Sequence, residues 1–207
     1  MNTSTNMNGK SIQPGNKRML LLQVGEEGVE VFAPLAKKGW VIIADDKSAR
    51  FLRKLGVESL SVEQIAGGFD AFSLNLLSSR LLAGILTSRD DEVAMRSLFN
   101  KGLDKIDMIV VSLPMGGDPM VEGGNSTLHS LVLAATQNII GVTIVIDSED
   151  YRDVVKEILS SGENSFETRT NLGVKVFYQL SSHYFSLANV AKFQLERGQP
   201  VFSPSVQ

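Results

Sequence analysis

Two glycine pairs, Gly116-Gly117 and Gly123-Gly124, frame a loop whose backbone N–H groups can turn toward a ligand. Asn125, Ser126 and Thr127 follow directly, with side chains that can cap a helix or orient a polar substrate. Such groups can anchor a carbonyl or an anion, but none of them exchanges a proton at neutral pH. The glycine spacing matches neither a P-loop nor a dinucleotide fingerprint. Lys47 and Arg80 are the cations placed to hold a carboxylate or phosphate. Glu26-Glu27 and Asp45-Asp46 fall between strand ends and helix starts, where carboxylates match the helix dipole and are expected to face water. The histidines, His129 and His183, have no second imidazole or carboxylate at metal-ligand spacing and read as packing or surface residues, so no metal site is expected.

A βαβ unit must position the glycine loop. Ile106 to Leu113 is a nearly continuous, β-branched apolar run, suited to a strand buried on both faces of a parallel sheet. Pro114 ends it, a helix is expected over Leu128 to Gln137, and Val142 to Ile146 is the next strand. Ligands of open α/β sheets gather at the carboxyl ends of the strands, which places the expected site at this loop and helix start. Upstream, Met19 to Val24 and Trp40 to Ala44 read as strands, with helices over Val29 to Lys38 and Ala49 to Leu55 closed by Gly39 and Gly56. Ser59 to Val62 suggests an edge strand and Ala66-Gly67-Gly68 a turn. Ala83 to Leu86 reads as a short strand, and Asp90 and Asp91 open a helix reaching about Asn100. Asp147 or Ser148 caps a helix over Glu149 to Leu159, ended by Gly162, and Phe166 to Phe193 is a long helical tract with Leu172, Val176, Phe177 and Leu180 on its apolar stripe. The tails, residues 1–17 and 198–207, are expected to be disordered, leaving one domain over 18–197.

A chain of 207 residues, 43% of them hydrophobic, can bury a full core. The net charge of −3 gives no electrostatic reason to expect nucleic acid as a partner. With no cysteine, thiol nucleophiles, disulfides and zinc-thiolate sites are excluded. No apolar run approaches the length of a membrane span and no signal peptide is visible, so the expectation is a cytoplasmic protein that binds no membrane.

From Arg18 to about Phe193 the sequence resembles IMP cyclohydrolase, the N-terminal domain of the bifunctional purine-biosynthesis enzyme, which has the methylglyoxal synthase-like fold. Arg18 to Leu21, then Gly28, Phe32-Ala33 and Gly39, are similar to the family's opening strand and helix. Ser48-Ala49-Arg50 is similar to the end of its S-T-G-G-T-A-R turn, Ala83 to Leu86 to its G-G-I-L, and Ile106 to Val111 to its I-D-x-V-V-V. Asn138, Val145, Asp150-Tyr151, Thr168-Arg169, Leu172, Lys175, Phe177 and Ala188-Asn189 continue the register. The resemblance implies a three-layer α/β/α sandwich with a mostly parallel sheet and closing C-terminal helices. The family's second half, the AICAR transformylase domain, has no counterpart in this sequence, which reads as a divergent member lacking it.

The departures fall on the family's chemistry. Its S-V-S-D-K, with a phosphate-holding lysine, is here Leu22 to Glu26, and its phosphate-cradling S-T-G-G-T is Ala44 to Ser48. Its K-T-L-H-P becomes Asn75 to Ser79, its N-L-Y-P-F becomes Ser112 to Gly116, and Asn125, Leu133 and Gln137 replace an aspartate, an arginine and a lysine. In the family an amide nitrogen attacks a formyl carbon and water is lost, which needs an oxyanion stabiliser and proton-transfer groups. Ordinary IMP cyclohydrolase activity is therefore not expected. Two readings stand: a repurposed ring-closing enzyme acting on an amide or formamide related to purine precursors, or a catalytically silent binding or scaffold protein beside a separate partner enzyme. Asn75, Asn125 and Gln137 are the weak catalytic candidates. Gly25, Lys47, Ser48, Asn75, Ser78, Arg80, Gly116, Gly117, Asn125, Ser126, Thr127 and Asn138 are the expected binding residues. A small-molecule substrate, no cofactor and a homodimer complete the expectations, the last implied by the family's site near a subunit interface and by aromatic residues on the closing helix.

Overall fold

The structure is a computed structural model, and it describes residues 16–67, 75–113 and 126–198. The glycine-rich loop with Gly116, Gly117 and Asn125, together with nearly all of both tails, lies outside the described residues.

In chain order the elements are β1 (Arg18–Leu22), α1 (Glu26–Phe32), α2 (Pro34–Lys37), β2 (Val41–Ala44), α3 (Asp46–Lys54), β3 (Leu60–Ser61), α4 (Val62–Ala66), α5 (Ser79–Leu86), α6 (Glu92–Asn100), β4 (Met108–Val111), α7 (Ser126–Ala135), β5 (Thr143–Val145), α8 (Tyr151–Ser161) and α9 (Phe166–Glu196). The sheet runs β3-β2-β1-β4-β5, and among the described residues its strands pair in parallel. The chain starts at the centre, builds outward through β2 and β3, then returns to place β4 on the free side of β1. The direction of building reverses between β1 and β4, so a crevice opens there at the strand carboxyl ends.

Strand side chains alternate between two apolar layers. Leu20, Leu22, Ile109, Val111 and Ile144 point into a core with Leu81, Ile85, Leu131, Val132 and Val176, under α5, α7 and α9. Met19, Leu21, Ile42, Val110 and Val145 point the other way, onto Phe32, Leu35, Leu52, Tyr151 and Val154 from α1, α2, α3 and α8. This is the expected three-layer sandwich, and β1 and β4 are neighbours with Leu20 beside Ile109. Helix α9 crosses the β5 edge, giving Leu172 to one layer and Val176 and Leu180 to the other.

Local departures have physical causes. The helix expected over Val29 to Lys38 breaks at Ala33, because Pro34 has no N–H to continue the ladder and instead opens α2. Ala83 to Leu86 is the last turn of α5 and not a strand; a short apolar run is ambiguous by periodicity, and Ser78 caps the helix by accepting from Leu81 N–H. A side chain at Gly84 would meet the Asp104 carbonyl at 2.5 Å, so that helix position needs glycine for the close passage of the next segment. Asp147 caps a 3₁₀ turn over Ser148–Asp150 before α8 begins. No helix among the described residues is long and apolar enough to cross a membrane.

Candidate functional site

Helices α1, α3, α7 and α8 all start at the carboxyl end of the sheet, because each follows a parallel strand, and their unpaired N–H groups point toward that end. Most of these starts carry acids: Glu26 and Glu27 in α1, Asp45 and Asp46 at α3, and Asp147, Glu149 and Asp150 ahead of α8. The first turn of α7, with Ser126 and Thr127, carries none.

Asp45 is the most built-in of these carboxylates and, contrary to the exposed role expected for it, is 4% exposed. One oxygen accepts from Ser48 N–H (3.0 Å), the N-cap bond of α3; the other accepts from the Gln23 N–H (3.0 Å) and the Gln23 side-chain amide (2.6 Å). Around this carboxylate the loop after β1 is tied to α3. Ser48, fully buried, accepts from Val24 N–H through its hydroxyl (3.1 Å), and the Lys47 ammonium donates to the Gln23 carbonyl (3.0 Å). Gln23 sits at φ +58°, a left-handed conformation that costs a non-glycine residue energy and that these bonds hold in place. The N–H groups able to greet an external anion at α3 already surround an internal one.

The other expected residues divide between two ends of the molecule. Gly25 and Ser126 are exposed and Thr127 partly so, all at strand carboxyl ends. Asn75 is fully buried just ahead of α5, its carbonyl accepting from Ser78 N–H, and the Ser78 hydroxyl is spent on its cap. Arg80 belongs elsewhere: its guanidinium donates to the Ile65 carbonyl and lines a cavity of about 80 Å³ shared with Arg18, Gln64, Asp104 and Ile106. Asn138 and Gln137 lie at the opposite end of the sheet, in the turn between α7 and β5. There the Asn138 amide donates to the Ile85 (2.6 Å) and Thr87 (3.1 Å) carbonyls and ties α5 to α7. The expectation that Asn138 lines the crevice fails because a helix between two parallel strands carries the chain back across the sheet.

Beside β5, Lys175 of α9 donates to both oxygens of Asp150 (2.7 Å each) and lies 3.6 Å from Asp147. The Asp150 hydrogen bond raises the Lys175 pKa against a smaller opposing effect of burial. Tyr151 packs edge-on to Phe32, with centroids 5.1 Å apart, and burial, aided by Asp147, pushes its phenol up to about 12.

The sequence reading missed one cluster. His129, one turn into α7, and His183 of α9 stack edge-to-face with ring centroids 4.6 Å apart, and Tyr184 lies 5.8 and 5.4 Å from the two imidazoles. Periodicity carried a signal: Val176, Leu180 and His183 continue one stripe of α9, and His129 shares the buried side of α7 with Val132. Among the described residues no group of three or more His, Asp or Glu gathers to hold a metal.

No family model matches the chain. It is 31% identical over 173 residues to the bifunctional purine biosynthesis protein PurH of Persephonella marina, covering 77% of this chain and 34% of that protein. It is 27% identical over 201 residues to PurH of Streptococcus pneumoniae, covering 89% of this chain and 38% of that protein. The chain thus spans little more than a third of the length of the curated relatives it matches, and is homologous at low identity to their IMP cyclohydrolase region. Among solved structures it is similar to the crystal structure of ForH, with a TM-score of 0.72, 22% identity, and coverage of 84% of this chain and 97% of that one. That likeness shows the fold.

Proposed function

We propose that the chain is a ring-closing enzyme of IMP cyclohydrolase-like kind that acts in the crevice between β1 and β4, on an amide or formamide related to purine precursors, without seating a phosphate at α3. The observation that carries it is Asp45, a buried carboxylate already holding the N–H groups of Ser48 and Gln23 in the frame of a PurH homologue. A phosphate brought to about 4 Å from that carboxylate meets a repulsion on the order of 4 kcal/mol per pair of unit charges at an intermediate dielectric. A third of that costs about tenfold in affinity. The ligand is therefore neutral, cationic, or anchored at α7, whose first turn has no acid of its own.

The test offers 5-formamidoimidazole-4-carboxamide as the ribonucleotide and as the ribonucleoside, with loss of water followed by mass spectrometry. Turnover favouring the ribonucleoside supports the reading, and preference for the ribonucleotide overturns the phosphate argument. Turnover of neither would leave the silent binding protein. That second reading is favoured by α9, which beyond Leu180 buries no side chain and exposes Tyr184, Phe185, Phe193 and Leu195. The same face suits a homodimer, for which light scattering at micromolar concentration should report twice the chain mass.

A further inference from the structure

The cavity of about 80 Å³ that Arg80 lines lies between the β2–β3 side of the sheet, α4 and α5, apart from the crevice. Ile43, Leu60 and Leu81 give it apolar walls, and its charged groups are Arg18, Arg80 and Asp104. Arg18 is the first residue of β1 and only 5% exposed, so its guanidinium belongs to the inner wall. Arg80 and Gln64 are exposed and stand where the cavity meets solvent.

Donors outnumber acceptors around this space. Asp104 takes one terminal nitrogen of Arg18 at 2.6 Å. The Arg80 Nε donates to the Ile65 carbonyl (3.0 Å), which fixes the guanidinium plane and leaves its two terminal nitrogens for another acceptor. Among the described residues no carboxylate forms an ion pair with Arg80. The Gln64 carboxamide oxygen accepts from the Ser61 N–H in the capping box of α4, so its NH₂ is the group that Gln64 can offer. Two guanidiniums against one carboxylate leave the lining with a net charge of +1, in a chain whose net charge is −3. Burial lowers the Arg18 pKa, and the attraction of Asp104 and Asp107 makes up only part of that loss. A buried cation compensated in part favours a further anion beside it.

The space is well beyond the roughly 10–15 Å³ that admits one water and about half of the roughly 150 Å³ that holds a benzene ring. It therefore suits a group of about four heavy atoms. A guanidinium presents paired donors in one plane, which a carboxylate matches with its two oxygens. A short hydrocarbon tail then meets Leu60 and Leu81. Phosphate fits less well, because oxygens on every side of it would face those apolar walls unpaired.

We propose that this cavity is a binding site for a small carboxylate held between the guanidiniums of Arg18 and Arg80, at the opposite end of β1 from the crevice. Binding here is independent of ring closure.

The test offers sodium acetate, sodium propionate, acetamide, inorganic phosphate and sodium chloride to the whole chain at matched ionic strength and pH. Acetate and propionate should raise the thermal unfolding midpoint with concentration, because a ligand of the folded state stabilises it by mass action. Acetamide and chloride should not. In calorimetry Arg80→Gln should weaken acetate by about tenfold or more, through loss of charge-assisted hydrogen bonds. Gln64→Glu keeps the acceptor of the capping box but puts a negative charge in place of the NH₂, and should weaken acetate as well. Undiminished acetate affinity in the two variants overturns the site, as does an equal rise with chloride or acetamide. Phosphate binding more tightly than either carboxylate overturns the ligand class. Should Arg80→Gln fail to fold, Gln64→Glu decides.

Discussion

At the amino ends of the strands Arg89 donates to the carbonyls of Gly84, Thr87 and Ile106, Arg18 pairs with Asp104 at 2.6 Å, and Lys105 pairs with Asp107 at 2.6 Å. Asn138 clasps α5, and Asn164 joins Thr143, Val154 and Glu157 beneath the start of α9. At the carboxyl ends the polar groups serve loops and helix starts, and a non-glycine residue is held left-handed. Residues matching the IMP cyclohydrolase pattern concentrate at the first end: Asn138, Arg169, Asp107 and the Gly84-Ile85 turn. Two of the replaced stretches, Leu22 to Glu26 and Ala44 to Ser48, lie at the second. Exceptions run both ways: Lys175 with Asp150, which ties α9 to the turn ahead of α8, and Ala49-Arg50 of α3 are matching residues at the carboxyl end, while Gln137, a replaced one, lies at the amino end beside Asn138. At the amino end, Asn138 and Arg169 satisfy backbone carbonyls and so hold the frame together.

The strongest way to break this contrast is Arg89→Ala. It strips donors from three carbonyls in a part-buried setting and should cost about 3 kcal/mol or more, seen as a lower urea midpoint, while ligand affinity of the folded protein is unchanged. A change in affinity with stability intact would refute the division of labour. Next comes alkaline pH. Because the Tyr151 phenol is raised from its ordinary 10 to about 12, the fold favours the neutral form; that stabilisation is complete below pH 10 and is lost as pH rises toward 12. About 2 kcal/mol should disappear over that window, and Tyr151→Phe should flatten the loss.

Asn138→Ala removes two hydrogen bonds and should cost about 1–2 kcal/mol, again without touching binding, which calorimetry and denaturation measured together would check. Asp45→Ser sharpens the comparison from the other side. A serine keeps the helix cap but removes the charge and the clamp on Gln23, so stability should fall by about 1 kcal/mol while inorganic phosphate or a nucleoside monophosphate binds on the order of tenfold tighter. The smallest effect is acidic. Burial raises the Glu157 pKa, but hydrogen bonds from Asn164, Ser165 and Thr168 outweigh it and leave the carboxyl below its usual range. Its stabilisation is present above the ordinary carboxylate pKa and is lost as pH falls through the lowered one, a dependence that Glu157→Gln should abolish in acid titrations of the unfolding midpoint.

The amino-acid order alone determined the architecture, since apolar runs of strand length alternating with helical periods admit few solutions other than parallel crossovers. It also located helix ends: Asp91, expected near the start of α6, caps it, and Gly162 closes α8 at φ +89°. It misassigned Ala83 to Leu86, where four apolar residues fit either period and the deciding contact, the Asp104 carbonyl over Gly84, comes from a segment twenty positions away. Only the tertiary structure decided where the candidate side chains lie and what they contact. It buried Asp45 under Gln23, carried Asn138 to the far end of the sheet, sent Arg80 to a different cavity, and brought His129 against His183. The reason is one of range: caps and periods are written within a turn or two of chain, whereas the partners of these side chains are set by which elements the crossovers bring side by side.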